Sequence, residues 1–270
     1  MSRFDGLFGE HDRRERASAL ATLRRRATLH ALVAVTLTLA GYGLLWWTIP
    51  ETASRWLAVA GVVLGVELFL LQRHLDTNRR HDEQRLLADL GAGNLVTLTR
   101  GVLLAWVAGF LAVPWVGTDL AWLPALGYGL SALLDAIDGA VARARDRVTV
   151  LGETLDVEFD ALGLLVVPLV GVAGGQLPAW YLAVGLARYL FVGGRRLRAS
   201  RGLAVYDLPP RSSRRVLAGA QMLFVAVALM PIVSPRLAGL GALLVGVPLL
   251  LGFARDWLYV SGRLSTDESA

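Results

Sequence analysis

The chain has 270 residues, 55% of them hydrophobic, a mean hydropathy of +0.53 and a formal net charge of +5. A soluble domain of this length would be less apolar, and several runs reach the roughly 20 residues that cross a bilayer core. The lack of cysteine excludes disulfides and thiolate metal sites, and the 27 basic residues, all Arg, gather at helix ends and form no single stripe, which favours anionic headgroups over nucleic acid as the partner.

Hydropathy predicts an all-α polytopic membrane helical bundle of eight spans. Residues 1–28 form a polar, Arg-rich tail that ends in Leu23-Arg24-Arg25-Arg26, with no cleavable signal peptide. Two accessory spans follow within residues 29–73, about 29–49 and 55–73. Glu67 lies inside the second, and an intramembrane ionisable residue is a functional candidate by default. A structural partner or a position near the interface is the competing reading. Residues 74–94 are polar and contain "RRHDEQRLLADL", which reads as an amphipathic helix on the membrane surface. Six more spans fill residues 95–258, at about 95–115, 121–144, 153–175, 178–196, 215–233 and 236–258. Residues 259–270 form a C-tail. The first two spans look separable from the other six.

Arg asymmetry sets the orientation. The N-tail, the 73–94 segment, the 143–152 turn, the 195–215 loop and the C-tail all bear Arg and fall on one side if eight spans cross. The opposite loops carry only Arg55 and Arg236 near their edges. The basic side, with both termini, is therefore expected in the cytoplasm. Trp46, Trp47, Trp56 and Trp122 fall at the expected outer interface and read as an aromatic belt. Pro168 and Pro248 read as helix kinks.

The stretch "DAIDGAVARARDRVTVLGETLDVEFD", residues 135–160, holds seven carboxylates in an otherwise apolar chain. Asp135 and Asp138 are three apart, and Asp156 and Asp160 four apart, so each pair shares a helix face. An antiparallel pair of helices joined by a short turn brings the two faces together near the cytoplasmic interface. Unneutralised, four such carboxylates repel; Mg²⁺ or Mn²⁺ favours oxygen ligands of this kind, and one or two ions can be held. Gly139, Ala140, Ala142 and Gly152 leave a smooth wall for a flat ligand, and Arg143 can fork onto a phosphate. The combination suits metal-assisted phosphoryl transfer from a nucleotide diphosphate. Asp146, Glu153 and Glu158 read as solvated or supporting groups. The histidines lie far from this stretch in sequence, against a His/Cys zinc site.

The spacing Asp135-x2-Asp138-Gly139-x2-Ala142-Arg143-x8-Gly152-x3-Asp156-x3-Asp160 resembles, position for position, the signature of the CDP-alcohol phosphatidyltransferases. The resemblance covers about residues 90–258, the six-helix core, and leaves out the two N-terminal helices. It implies transfer of a phosphatidyl-type group from a CDP-linked lipid to a small alcohol acceptor, with release of CMP, in phospholipid synthesis at the cell membrane. It implies that Asp135, Asp138, Asp156 and Asp160 bind two divalent ions, Mg²⁺ or Mn²⁺, and that Asp160 is also the general base. Gly139, Ala142 and Gly152 would line the cytidine pocket, with Arg143 near the phosphates. "NLVTLTR" resembles the opening of the family's first core span, which adds Asn94 and Thr97 to the nucleotide contacts. A homodimer is implied as well.

"ARYLFVGGRRLRASRG", residues 187–202, resembles the corresponding run of phosphatidylglycerophosphate synthases, as does "AGAQM" at 218–222. Arg188 and Arg195, two turns apart, with Arg196 beside them, are the candidate grip on an acceptor phosphate. Glycerol phosphate or inositol phosphate is thereby favoured, as in phosphatidylglycerophosphate or phosphatidylinositol-phosphate synthase-like members, over serine or another amino alcohol. Simple structural explanations compete at each position: a solvated turn for the aspartates, small-residue packing for the glycines, positive-inside anchoring for the arginines. A divalent-cation transporter is the alternative from another class. The Gly/Ala/Arg pattern has no role there, and the carboxylates sit at one end of a helix pair, away from mid-bilayer. A member that has lost activity is the third alternative, against which the intact signature speaks.

Overall fold

In the computed structural model, residues 2–145, 148–209 and 211–264 are described, with side chains described from Asp12 onward except at 138–145, 212 and 215. Among these residues the chain is all-α, 79% helical with no strand. The helices are α1 (Ser2–Thr48), α2 (Pro50–His74), α3 (Gly91–Gly109), α4 (Leu123–Arg145), α5 (Val150–Ala173), α6 (Leu182–Ser200), α7 (Ser212–Ala228) and α8 (Pro235–Val260). Four stretches are long and apolar enough to cross a membrane: Asp12–Thr48, Pro50–Thr77, Gly91–Ala112 and Pro235–Val260. Leu123–Ile137 and Val216–Ala228 are apolar but shorter. The first half of α5 carries Glu153, Asp156, Glu158 and Asp160, and α6 ends in Arg195, Arg196 and Arg198, so charge interrupts their apolar runs. α5 and α8 continue through Pro168 and Pro248.

The described chain divides into two units, Met1–Val113 with Leu130–Asp160, and Pro114–Gly129 with Ala161–Ala270. In the first, the polar N-tail is helical and runs unbroken into the first span. Its apolar residues explain this: Leu23 and Ala27 are buried with Leu71, Leu75, Leu86, Leu90, Leu98, Leu151, Leu155 and Phe159 in one core. A single residue, Ile49, separates α1 from α2, and Pro50 at the first helical position suits the restart.

Higher up, Ala34, Leu64, Val102 and Ala105 join α1, α2 and α3 through small contacts, as helices in lipid require. Trp56 is a correction to the aromatic belt. It is buried, its Nε1 donates to the Trp106 carbonyl at 3.0 Å, and its ring packs where a Cβ on Gly109 would lie, 2.4 Å away. Trp106 Nε1 in turn donates to the buried Thr38 hydroxyl at 2.9 Å. The indole N–H groups thus find partners between helices, and Trp47, at 89% exposed, keeps the outward position.

The surface helix expected within residues 79–90 does not form; residues 78–90 are turns and irregular backbone. Asn78 explains why. Its side-chain amide donates to the Leu87 and Asp89 carbonyls at 3.0 and 2.8 Å, and the Leu87 N–H donates to the Asn78 carbonyl at 2.8 Å. Those bonds close a loop that drops Leu86 and Leu90 into the core, a burial that outweighs helix propensity.

In the second unit, α7 and α8 are clamped by a two-pronged ion pair, Arg214 Nε and Nη2 to Asp256 at 2.7 and 2.8 Å. Gln221 is buried and bonds Tyr181, whose ring meets Phe224 edge-on at 5.6 Å. The "AGAQM" run therefore carries a packing residue.

Candidate functional site

The site is built on α5. Leu151, Leu155 and Phe159 recur every four residues and point into the core. One position further round the helix, Gly152, Asp156 and Asp160 form the adjacent stripe. Burial of the first row fixes the direction of the second.

Arg100 meets this stripe from α3. It is 5% exposed, and its guanidinium reaches three carboxylates: Nη1 to Asp135 at 2.8 Å and to Asp156 at 2.5 Å, Nη2 to Asp160 at 2.7 Å. Oxygens of the three carboxylates lie within 4.8 Å of one another. Opposite oxygens around Mg²⁺ are about 4.2 Å apart, so a small closure brings this trio to the spacing one ion needs. A guanidinium among three carboxylates also marks the place as one that demands positive charge. The donor set therefore fits a hard divalent cation. Four converging carboxylates were expected; Asp135, Asp156 and Asp160 come together, and Asp138 falls outside the described side chains. Gly139, Ala142 and Arg143 lie in that same stretch, and Asp146 lies outside the described residues altogether.

Asn94 and Gly152 meet directly. A Cβ on Gly152 would stand 2.4 Å from Asn94 Oδ1, so only glycine lets α5 approach α3 here. Asn94 is buried; its Nδ2 donates to Asn78 Oδ1 at 3.1 Å, and its Oδ1 accepts from Thr149 Oγ1 at 3.1 Å. Thr149 Oγ1 also accepts from the Gly152 N–H at 3.0 Å, satisfying a first-turn donor of α5. Thr97, one turn along α3, is buried and donates to the Gly93 carbonyl at 3.3 Å. Glu153 pairs with His81 at 2.9 Å and Glu158 is exposed.

Arg188, Arg195 and Arg196 lie on α6, in the second unit. Arg188 and Arg195 are both half-buried, in keeping with a shared face, whereas Arg196 is exposed. For Glu67 the structure shows no structural partner among the described residues. It is 2% exposed, and neither carboxylate oxygen has a hydrogen-bond partner among the described residues.

Arg100 is the residue that sequence reasoning missed. A single Arg in the apolar run 95–115 is an intramembrane charge, the same signal that drew attention to Glu67.

Four membrane-length apolar helices mark an integral membrane protein, and its trio of carboxylates is a set that could hold a divalent cation. Residues 91–254, more than half of the chain, match the CDP-alcohol phosphatidyltransferase family model, and the chain belongs to that family. The family transfers a phosphatidyl group from a CDP-alcohol to an alcohol acceptor and is divalent-metal dependent. Neither a curated protein nor a solved structure matches the chain.

Proposed function

We propose that this protein transfers a phosphatidyl-type group from a CDP-linked lipid to a phosphorylated polyol, glycerol phosphate or inositol phosphate, and releases CMP. The catalytic part is residues 95–258, with residues 29–73 accessory to it. The observation that carries the reading is the trio Asp135, Asp156 and Asp160 gathered on one guanidinium in the family-matched segment.

Asp135, Asp138, Asp156 and Asp160 hold two divalent ions, Mg²⁺ or Mn²⁺, which supply neutralisation of the donor diphosphate. Gly139, Ala142 and Gly152 line the cytidine, Asn94 and Thr97 flank it, and Arg143 binds phosphate. Asp160 accepts the proton of the acceptor hydroxyl as that oxygen bonds to the lipid-linked phosphorus. The bond from that phosphorus to the bridging oxygen breaks, and CMP leaves with the electron pair. Arg188 and Arg195, aided by Arg196, draw the acceptor phosphate. The half-buried pair on one face of α6 supports this acceptor class, because a desolvated guanidinium gains most from a dianion. The site faces the cytoplasm, with both termini on that side, and the protein works as a homodimer.

The test is CMP release from a CDP-linked lipid by purified protein with Mg²⁺ or Mn²⁺ and a panel of alcohols. Glycerol phosphate or inositol phosphate should support turnover. Turnover with serine alone would overturn the acceptor assignment and leave the donor reading standing.

A further inference from the structure

Two buried polar groups in the first unit lack partners among the described residues: the Glu67 carboxylate on α2 and the Arg100 Nε on α3. One is an acid and the other a base, and they stand on neighbouring helices packed in one core cluster through Leu64, Val102 and Ala105. A Cβ on Gly101, the residue after Arg100, would lie 3.0 Å from Glu67 Oε2 and 2.7 Å from Phe159 Cε2. Glu67 and the Phe159 ring thus both close on the backbone of Gly101, next to Arg100. A buried carboxylate with no partner is costly.

We propose that Glu67 is a second seat for the Arg100 guanidinium, taken when divalent cations enter the aspartate cluster. This rests on the reading of that cluster as the cation site. Arg100 is the counter-charge of Asp135, Asp156 and Asp160. A divalent ion among those carboxylates repels the guanidinium at a few ångströms, where effective dielectric is low. Arg100 has a long side chain that can swing about its own Cα, and Gly101 places no Cβ between it and Glu67. In the second seat, Arg100 gives the buried Glu67 carboxyl the partner it lacks and clears the aspartates. The accessory helix α2, outside the family-matched segment, thereby acts as a positioning element for the cation site.

The experiment is Mn²⁺ binding to purified full-length protein in detergent, followed by electron paramagnetic resonance. Wild type, Glu67→Gln, Arg100→Gln and the double variant are compared, with Arg100→Lys as a charge-retaining variant. Glu67→Gln should weaken Mn²⁺ binding about tenfold. Arg100→Gln should bind at least as tightly as wild type, and adding Glu67→Gln to it should change nothing further. In the Arg100→Lys background the effect of Glu67→Gln should persist, which keeps the test open if Arg100→Gln fails to fold. The metal-free Tm of Glu67→Gln should equal or exceed that of wild type. Wild-type affinity in Glu67→Gln, or an undiminished loss in the Arg100→Gln background, overturns the second seat. No Mn²⁺ binding by wild type overturns the cation site itself.

Discussion

Arg100 and Gly152 show how single residues set this site. Arg100 is the counter-charge for three carboxylates, so Arg100→Gln leaves them mutually repelling when no cation is supplied. Their side chains are about a third exposed, so the loss should fall below that of a fully buried pair, near 2 kcal/mol. The Tm of the variant should drop without divalent cations and recover when Mg²⁺ or Mn²⁺ is added. An unchanged Tm in chelator would contradict the counter-charge role. Asp160→Asn should keep the fold, checked by circular dichroism, and lose about 10²- to 10⁴-fold of CMP release. Full activity would remove the base assignment. Gly152→Ala forces a methyl onto Asn94 Oδ1 and should cost about 1–3 kcal/mol. Asn94→Ala in the same chain should restore part of that, and a fully additive loss would show that the contact is not the cause. The aspartates were legible in the sequence because paired carboxylates at helical spacing are rare in apolar chains. Arg100 is one charge in an apolar run, and the sequence does not say which carboxylates it meets. Its length, which lets it reach back to α4 and α5, is visible only in space.

At the scale of elements, helix positions were readable and the 78–90 loop was not. Hydropathy locates apolar helices well, since lipid demands a satisfied backbone. The loop depends on one side chain, Asn78, bonding to residues nine and eleven positions away. An apolar period of Leu86, Leu87 and Leu90 mimics a helix while two of the three serve a core. Asn78→Ala should therefore open the loop, seen as faster limited proteolysis within 79–90 and a loss of about 1–3 kcal/mol. Resistance equal to wild type would show that burial of Leu86 and Leu90 suffices alone. The loop end is also pH-sensitive. The Gly91 N–H, donating at 3.3 Å, and the Arg26 guanidinium hold the exposed Asp89 carboxyl below its ordinary value. A lowered folded value adds stability above the unfolded pKa, and that stability is lost as pH falls through the folded one. Asp89→Asn should flatten the acid limb of a Tm-against-pH curve, and an unchanged limb would assign that limb elsewhere.

At the scale of the whole molecule, an eight-span topology puts the Arg-bearing segments on one side of the membrane and the site near that face. The chain has no cysteine, so single cysteines can be introduced without removing any. Asp82→Cys and Arg201→Cys should react with an impermeant thiol reagent from the cytoplasmic side, and Thr118→Cys and Ser234→Cys from the other. Labelling of all four from one side would break the eight-span topology. The central claim is that the aspartates of α4 and α5 hold divalent cations on a CDP-linked lipid. Metal-dependent CMP release by wild type and by Asp156→Asn tests it most directly. Release that needs Mg²⁺ or Mn²⁺ in wild type and is lost in the variant is the predicted result. Release that persists in chelator, or equal release by the variant, would contradict it.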